Sequence, residues 1–201
     1  MEDKKQEALM SKAEEKVTIG IMIMEIFIGL LALLTIFLPA FMNDSNKFEG
    51  IYTAFGGGTY GTMVKQFFDF SFGNFLTYLL VVMAMVLVFV RLALPKVDNM
   101  ITRGITAGLF LLAGILFLFC KEMAVIHINA SKDIFSLGYG PILGAIACLI
   151  DVIIVGIDVW FSMRISTVIE NQEEIKPLTQ EELRAQVMAE IEAEKNKEKS
   201  E

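Results

Sequence analysis

The chain has 201 residues, of which 55% are hydrophobic and 20% are charged, and its net charge is −7. Soluble domains carry about 25% charged residues, interleaved with apolar ones, whereas the apolar residues here fall into four blocks. This composition excludes an ordinary soluble domain. The acidic balance, most of which lies in the C-terminal tail, argues against binding of nucleic acid.

Four segments are predicted to cross a lipid bilayer, because a helix needs about 20 mostly apolar residues to do so. They cover residues 18–41, 75–94, 101–120 and 139–163. Pro95 directly follows the second segment, and Pro141 lies in the first turn of the fourth, where its missing N–H leaves no hydrogen bond unmade. We therefore predict an all-α membrane protein, a four-transmembrane-helix bundle whose first segment is an uncleaved span.

The positions of lysine and arginine predict which way the bundle faces. The loops at 42–74 and 121–138 contain only four basic residues: Lys47, Lys65, Lys121 and Lys132. The N-terminal tail (1–17), the C-terminal tail (164–201) and the surroundings of the turn between the second and third spans hold the rest. Because basic residues flank the cytoplasmic ends of membrane helices, we predict that both termini are cytoplasmic, with the plasma membrane as host.

The two loops on the predicted outer side carry signs of β-structure. In the first loop, residues 68–72 alternate strictly between apolar and polar side chains, which is typical of a strand, and the glycines at 56–58 supply a turn. Residues 125–129 of the second loop form another short candidate strand. We predict a small extracytoplasmic β-element that caps the bundle. The alternative is an interfacial loop whose phenylalanines dip into the lipid headgroups.

The acidic C-terminal tail is predicted to contain a helix of its own. Pro177 breaks the chain, and Thr179 and Glu182 have the spacing of a capping box. Apolar residues then recur every four positions along one face: Leu183, Val187 and Ile191. We predict a cytoplasmic amphipathic helix at 179–195, which either docks on the bundle or on a partner helix or stays solvated.

Ionisable residues inside membrane spans are costly and mark candidate functional sites. Glu25 lies in the first span, and Asp151 and Asp158 lie in the fourth. At about 1.5 Å per residue, they lie roughly 11 Å, 18 Å and 8 Å, respectively, from the cytoplasmic ends of their spans. We treat these three acids as candidates for binding an ion or a proton. Arg91, near the inner end of the second span, is their candidate counter-charge.

Two interpretations of these charges are open. In the structural one, Arg91 pairs with Asp158 or Glu25, and the remaining acids are protonated or bond to backbone and threonine groups, since a low dielectric favours the neutral acid. In the functional one, the acids bind and release protons or a cation and couple this to transport. Three acids against one base leave an excess of negative charge, which keeps the functional interpretation open.

Small residues predict where the helices approach closely. Gly104/Gly108 and Gly140/Gly144 each form a GxxxG pair, a spacing typical of helix contacts in membranes. At about 100° per residue, the second pair shares a face with both aspartates of the fourth span, which should therefore point into the bundle. The pairs serve either internal helix packing or homo-oligomerisation.

The sequence carries no specific catalytic, metal-binding or cofactor motif. It lacks Gly-x-Ser-x-Gly and His-Glu-x-x-His patterns, and no Lys-Ser/Thr follows the glycines at 56–58 as a phosphate-binding loop requires. We therefore expect no enzymatic activity, no metal and no cofactor. Cys120 and Cys148 lie in apolar blocks and are expected to be small packing residues. His127 is expected to be a strand residue, and Asn129 begins a glycosylation sequon.

Four spans, a long first outer loop of β character, a shorter second one and both tails inside together resemble the layout of the claudin-like tetraspan proteins. The similarity covers residues 18–163 and is one of topology. The tryptophan and paired-cysteine signature of that family is absent, since the loop at 42–74 contains neither residue, and no functional residue is carried over. Glu25 gives a second, weaker likeness to small multidrug-resistance transporters, which are four-helix proteins with an essential glutamate in the first helix.

These observations favour a non-enzymatic integral membrane protein that scaffolds or modulates other membrane or envelope components through its outer β-element and acidic tail. Its partners would be the lipid bilayer and a membrane protein or a second copy of the chain. The alternative is a proton- or cation-coupled small-molecule transporter or channel subunit that uses Glu25, Asp151 and Asp158. A water-accessible path from these acids to one membrane face would favour transport.

Overall fold

The computed structural model describes residues 2–43, 46–59, 66–127 and 132–174, with side chains between residues 16 and 164. The chain is mostly helical, and four helices in this part are long and apolar enough to cross a membrane. They are α1 (Glu2–Leu34), α3 (Phe72–Ala93), α4 (Met100–Leu118) and α6 (Tyr139–Glu174). The prediction of a mostly helical chain with four helices long and apolar enough to span a membrane is confirmed.

The helices differ from the predicted spans mainly at their ends. The apolar stretches themselves are Lys16–Phe37, Phe72–Ala93, Met100–Leu118 and Tyr139–Arg164. α1 begins at Glu2 and so includes most of the predicted N-terminal tail, and it ends well before residue 41 because Pro39 opens a strand. α6 continues past residue 163 to Glu174. The predicted tail helix at 179–195 lies outside the described residues.

The connection between α3 and α4 is short, and it holds the two helices as antiparallel neighbours. α3 starts after its N-cap Ser71, whose Oγ accepts a hydrogen bond from the Asn74 amide at 3.3 Å. It ends before Pro95, where one 3-10 turn begins. Asn99 then caps α4 and forms a capping box with Thr102. The end of the bundle that carries this connection is called the turn end.

Two small antiparallel sheets lie at the other end of these helices, called the sheet end. The first sheet has the order β2–β1–β5, with β1 (Pro39–Met42), β2 (Lys47–Glu49) and β5 (Ser136–Leu137). The second pairs β3 (Phe68–Asp69) with β4 (Val125–Ile126). The strands predicted at 68–72 and 125–129 therefore exist, but they are shorter, since α3 begins directly after Ser71. The strands of the first sheet were not predicted, because two to four residues are too few to show an alternating pattern.

Aromatic packing holds the sheet end together. Five buried phenylalanines contact one another with ring centroids 4.9 to 6.2 Å apart: Phe41, Phe48, Phe67, Phe68 and Phe135. Aromatic pairs of this geometry contribute about 0.5–1.5 kcal/mol beyond the burial of their area. Most of the loop phenylalanines are therefore buried in a separate core at the sheet end. Phe70 and Phe72 are exposed, and only residues such as these could enter the lipid headgroups as the alternative of an interfacial loop requires.

Three consecutive glycines in the first loop have positive φ angles. Gly56, Gly57 and Gly58 follow the short helix α2 (Gly50–Phe55) with φ values of 85°, 116° and 76°, a region that other residues rarely adopt. The Gly57 amide donates to the Phe68 carbonyl at 2.8 Å, which brings the end of α2 back to β3. Gly57 and Phe68 form an isolated antiparallel bridge, and the chain between them lies partly outside the described residues, so the predicted glycine turn stays a prediction.

The two GxxxG pairs have different surroundings. A Cβ atom at Gly144 would meet the Phe117 ring at 2.9 Å, and one at Gly140 would meet the Leu38 carbonyl at 3.0 Å, so both glycines lie in tight internal contacts. A Cβ atom at Gly104 or at Gly108 would meet nothing within 4 Å. The pair on α6 therefore serves packing inside the bundle, and the pair on α4 faces outward.

Candidate functional site

Arg91 lies in the last turn of α3, and only 1% of its surface is exposed. Each of its guanidinium nitrogens donates to a different carboxylate: Nη1 to Glu25 at 3.1 Å, Nη2 to Asp158 at 2.9 Å and Nε to Asp98 at 2.9 Å. A guanidinium group suits this arrangement because it presents its donors in one rigid plane. Arg91 therefore ties α1, α6 and the turn before α4 to the end of α3.

A second arginine, Arg103 in the first part of α4, joins the same cluster. It donates to both oxygens of Asp98, from Nη2 at 2.6 Å and from Nε at 3.0 Å, which makes a bidentate pair. Its Nε also lies 3.2 Å from Asp158 Oδ2, and its Nη1 donates to the Asp158 carbonyl at 3.2 Å. The charged clamp, as we name this cluster, consists of Glu25, Arg91, Asp98, Arg103 and Asp158.

The clamp lies at the turn end and draws on all four membrane-crossing helices. Its outermost member is Asp98, whose side chain is 11% exposed. Burial acts to raise the pKa of Asp98, but the hydrogen bonds from Arg103 and Arg91 outweigh burial and hold that pKa below its ordinary value. Asp98 is therefore ionised at neutral pH and pairs with both arginines.

Asp151 stands apart from the clamp. It lies seven residues before Asp158 on α6, roughly 10 Å further along the helix towards the sheet end. It is fully buried, and neither of its oxygens has a hydrogen-bond partner among the described residues. The charged group that acts on it electrostatically is Glu25, whose Oε1 also has no partner in that part of the chain. Three carboxyl oxygens of these two residues are thus unsatisfied.

This environment limits the charge state that Asp151 can adopt. An ionised aspartate at the centre of a membrane helix costs roughly 2.5–3.5 kcal/mol on insertion scales. The clamp supplies no spare cation, because its three carboxylates already face two arginines. Asp151 is therefore the group of this site for which a neutral form is most favoured, and it stays a candidate for binding a proton or a cation.

The structure brings together three of the four charges singled out in the sequence, since Arg91 contacts both Glu25 and Asp158. It leaves Asp151 outside those contacts. Sequence reasoning missed Asp98 altogether and counted Arg103 only towards the orientation of the bundle.

The cysteines and the histidine lie away from this site. Cys120 and Cys148 are free and buried, as small packing residues would be. His127 directly follows β4, so the prediction that it lies in a strand is wrong by one residue. Its Nδ1 lies 2.9 Å from Asp69 Oδ1 at the exposed surface of the second sheet. Asn129 and its sequon lie outside the described residues.

The described residues contain no group of three or more His, Cys, Asp or Glu side chains arranged to hold a metal ion. Comparison with known proteins finds no matching family profile, no matching curated protein and no matching solved structure. The geometry of the clamp and of Asp151 is therefore what bears on function.

Proposed function

We propose that this chain is a non-enzymatic integral membrane protein that binds and releases protons at Asp151, as a proton-coupled transporter or channel subunit. The observation that carries the proposal is a fully buried carboxyl group in the middle of a span, with both oxygens unpartnered in the part of the chain that the structure describes. Neutrality at this depth requires a bound proton or cation. We take the proton as the ligand, because one carboxyl group supplies few of the roughly six or more oxygen ligands that a divalent cation takes.

The clamp supplies the route by which protons reach Asp151. The Oε2 atom of Glu25 accepts a hydrogen bond from Arg91, while its Oε1 atom has no partner among the described residues. Arg91 in turn holds Asp98, which is partly exposed at the turn end. In this proposal a proton enters at the turn end and reaches Asp151 by way of Glu25, whose Oε1 atom has no other partner among the described residues.

Access from the sheet end is closed by apolar packing. Cys148, one turn from Asp151 on α6, is fully buried and belongs to the same apolar core as Phe117 and Ala145. Protons therefore exchange with one side of the membrane in this conformation. The distribution of basic residues makes that side the cytoplasm and places both termini there. In this proposal the protein lies in the plasma membrane.

Proton flux into liposomes tests this function. Wild-type protein and Asp151→Asn are reconstituted separately, a potassium diffusion potential is applied, and an internal pH dye is followed. We expect the wild type to raise proton flux well above that of empty liposomes. Asp151→Asn should return the flux to the empty-liposome level, because an amide of the same shape cannot carry the proton.

Asp69→Asn is the matched control, since Asp69 is a partly exposed carboxylate outside the spans, and it should leave the flux unchanged. Infrared spectroscopy gives a second readout: a protonated-carboxyl band that shrinks reversibly as pH rises and is absent from Asp151→Asn. The proposal would be rejected if the proton flux into liposomes with the wild-type protein equalled that into empty liposomes and the intensity of the protonated-carboxyl band did not change with pH. Asp151 would then be a structural acid that is always neutral.

One observation favours a scaffold or modulator instead. Gly104 and Gly108 lie on an outward face of α4 with open space above them, and glycines at this spacing let a second helix approach closely. The partner would be another membrane protein or a second copy of this chain. Association through this face in a protein that carries no protons would establish this function in place of the first.

A further inference from the structure

Glu25 is the carboxylate of the charged clamp that the two arginines hold least. Asp98 accepts from Arg91 and, through both of its oxygens, from Arg103. Asp158 lies within ion-pair distance of both arginines, 2.9 Å from Arg91 and 3.2 Å from Arg103. Within the described part of the chain, Glu25 has a single ion pair, the bond from Arg91 Nη1 at 3.1 Å. The two positive charges are therefore shared mainly between Asp98 and Asp158.

The charge balance of the clamp makes Glu25 its surplus acid. The charged groups that act on Glu25 come from each neighbouring element: Arg91 on α3, Asp98 and Arg103 around the start of α4, and Asp158 and Asp151 on α6. Three ionised carboxylates and two guanidinium groups would leave the clamp with one net negative charge. Glu25 is fully buried, and a buried charge without compensation is strongly destabilising. Glu25 is therefore the clamp member that a proton neutralises with the least loss of ion pairing.

The two oxygens of Glu25 have the surroundings of a protonated acid. A neutral carboxyl group has one O–H that donates and one oxygen that accepts. Oε2 accepts from Arg91, while Oε1 has no partner among the described residues and is free to carry a proton. Asp151 acts on Glu25 electrostatically, and its two buried oxygens also lack a partner in that part of the chain. Both residues thus have oxygens with unused hydrogen-bonding capacity.

We propose that Glu25 is a second proton-binding group, and that Glu25 and Asp151 form a pair of acids that holds two protons when both are neutral. This inference rests on proton transport at Asp151 and adds the group that supplies its proton. After Asp151 has released a proton, the O–H bond of Glu25 breaks and an O–H bond forms on Asp151. Glu25 is then a carboxylate paired with Arg91, and a proton from water at the turn end restores its neutral form.

Infrared spectroscopy of the purified protein tests the pair. At mildly acidic pH we expect a second protonated-carboxyl band beside that of Asp151. Glu25→Gln should remove this second band, and Asp151→Asn should keep it. Glu49→Gln is the matched control, because Glu49 is a partly exposed glutamate outside the spans, and it should keep both bands.

The wild-type protein gives the same information without a substitution. Glu25 is the single glutamate within the four apolar stretches. Glutamate that carries a heavy carbon isotope in its carboxyl group should therefore shift the second band and leave the band of Asp151 in place.

Stability and proton flux distinguish a neutral Glu25 from an ion-paired one. The amide of Glu25→Gln has the shape of the neutral acid, since its oxygen accepts from Arg91 and its N–H replaces the O–H. This variant should unfold at the same midpoint in mixed micelles as the wild type. In liposomes it should lower proton flux about tenfold, equivalent to about 1.4 kcal/mol on the barrier, because an amide cannot pass the proton on.

The proposal would be overturned if labelled glutamate shifted no protonated-carboxyl band. It would also be overturned if Glu25→Gln kept the wild-type flux, or if this variant were less stable than the wild type or failed to fold. Asp151 would then carry the proton alone, and transport at Asp151 would stand. If the wild-type protein itself gave only the flux of empty liposomes, transport at Asp151 would be rejected, and the role of Glu25 with it.

Discussion

The three bonds of Arg91 go to three different carboxylates, and this distinguishes arginine from lysine at the position. A lysine ammonium is a compact charge on a flexible stem, so it cannot meet all three acceptors at once. Removing one partner from a buried ion pair costs roughly 3–5 kcal/mol, because the other charge is left unpaired. We predict that Arg91→Met lowers the free energy of unfolding by this amount and Arg91→Lys by about half of it. The measurement is unfolding in mixed micelles, followed by helix content.

Lys96→Met is the matched control, because Lys96 lies exposed in the turn just after α3 and also carries one positive charge. It should leave the unfolding curve where it is. If Arg91→Lys proves as stable as the wild type, the planar three-way contact is not what holds the helices together. If Lys96→Met is as damaging as Arg91→Met, total charge matters and the geometry of the clamp does not.

Sequence reasoning identified part of this site because charges are rare inside membrane spans. Glu25, Asp158 and Arg91 are conspicuous for that reason. Asp98 and Arg103 are not, because charges at the ends of spans are ordinary, and only the tertiary contact shows that they belong to the cluster. The separation of Asp151 from the arginines depends on how far each helix is displaced along its axis, which the sequence does not specify.

At the scale of elements, the GxxxG pairs separate internal packing from outward association. Gly144 faces the Phe117 ring, while Gly108 faces open space. We predict that Gly144→Leu destabilises the bundle by about 1–3 kcal/mol or more, as extra volume in a packed core does. Gly108→Leu should leave the free energy of unfolding unchanged. The same unfolding assay in mixed micelles compares the two variants.

The oligomeric state provides the second readout for this pair of variants. If the outward face of α4 binds another copy, Gly108→Leu should shift the protein towards the monomer in light scattering while its stability is kept, because a large side chain prevents close helix approach. Loss of stability in Gly108→Leu would contradict the open surroundings of Gly108. Full stability of Gly144→Leu would contradict the tight contact with Phe117.

Long elements were predictable from the sequence, and short ones were not. Four apolar segments of about 20 residues give an unambiguous pattern, and their boundaries shift only where local chemistry intervenes, as Pro39 does after α1. The strands β1, β2 and β5 have two to four residues each. β1 pairs with β2, which follows it closely in the chain. β5 pairs with β1 because the end of α1 and the start of α6 lie close together, so this pairing depends on the bundle and not on a pattern within the strands.

At the scale of the whole molecule, each end of the bundle is held by a different kind of interaction. The charged clamp joins the helices at the turn end, and the phenylalanine cluster joins the loops at the sheet end. Between them lies an apolar core of small side chains and Phe110, Phe117 and Tyr78. Asp151, whose oxygens have no hydrogen-bond partner among the described residues, lies on α6 between the clamp residue Asp158 and the core residue Cys148.

The two ends should therefore lie on opposite sides of the membrane, and single cysteines can locate them. Lys47 is exposed at the sheet end and Lys96 is exposed at the turn end. We predict that a membrane-impermeant maleimide labels Lys47→Cys in intact cells and labels Lys96→Cys only after lysis. The native thiols give little background, because both are buried and burial raises the pKa of Cys120 to about 12, which leaves little reactive thiolate. If Lys96→Cys is labelled in intact cells and Lys47→Cys only after lysis, the orientation inferred from the basic residues is inverted. Protons would then enter from outside the cell. Labelling of both positions in intact cells would mean that α3 does not cross the membrane.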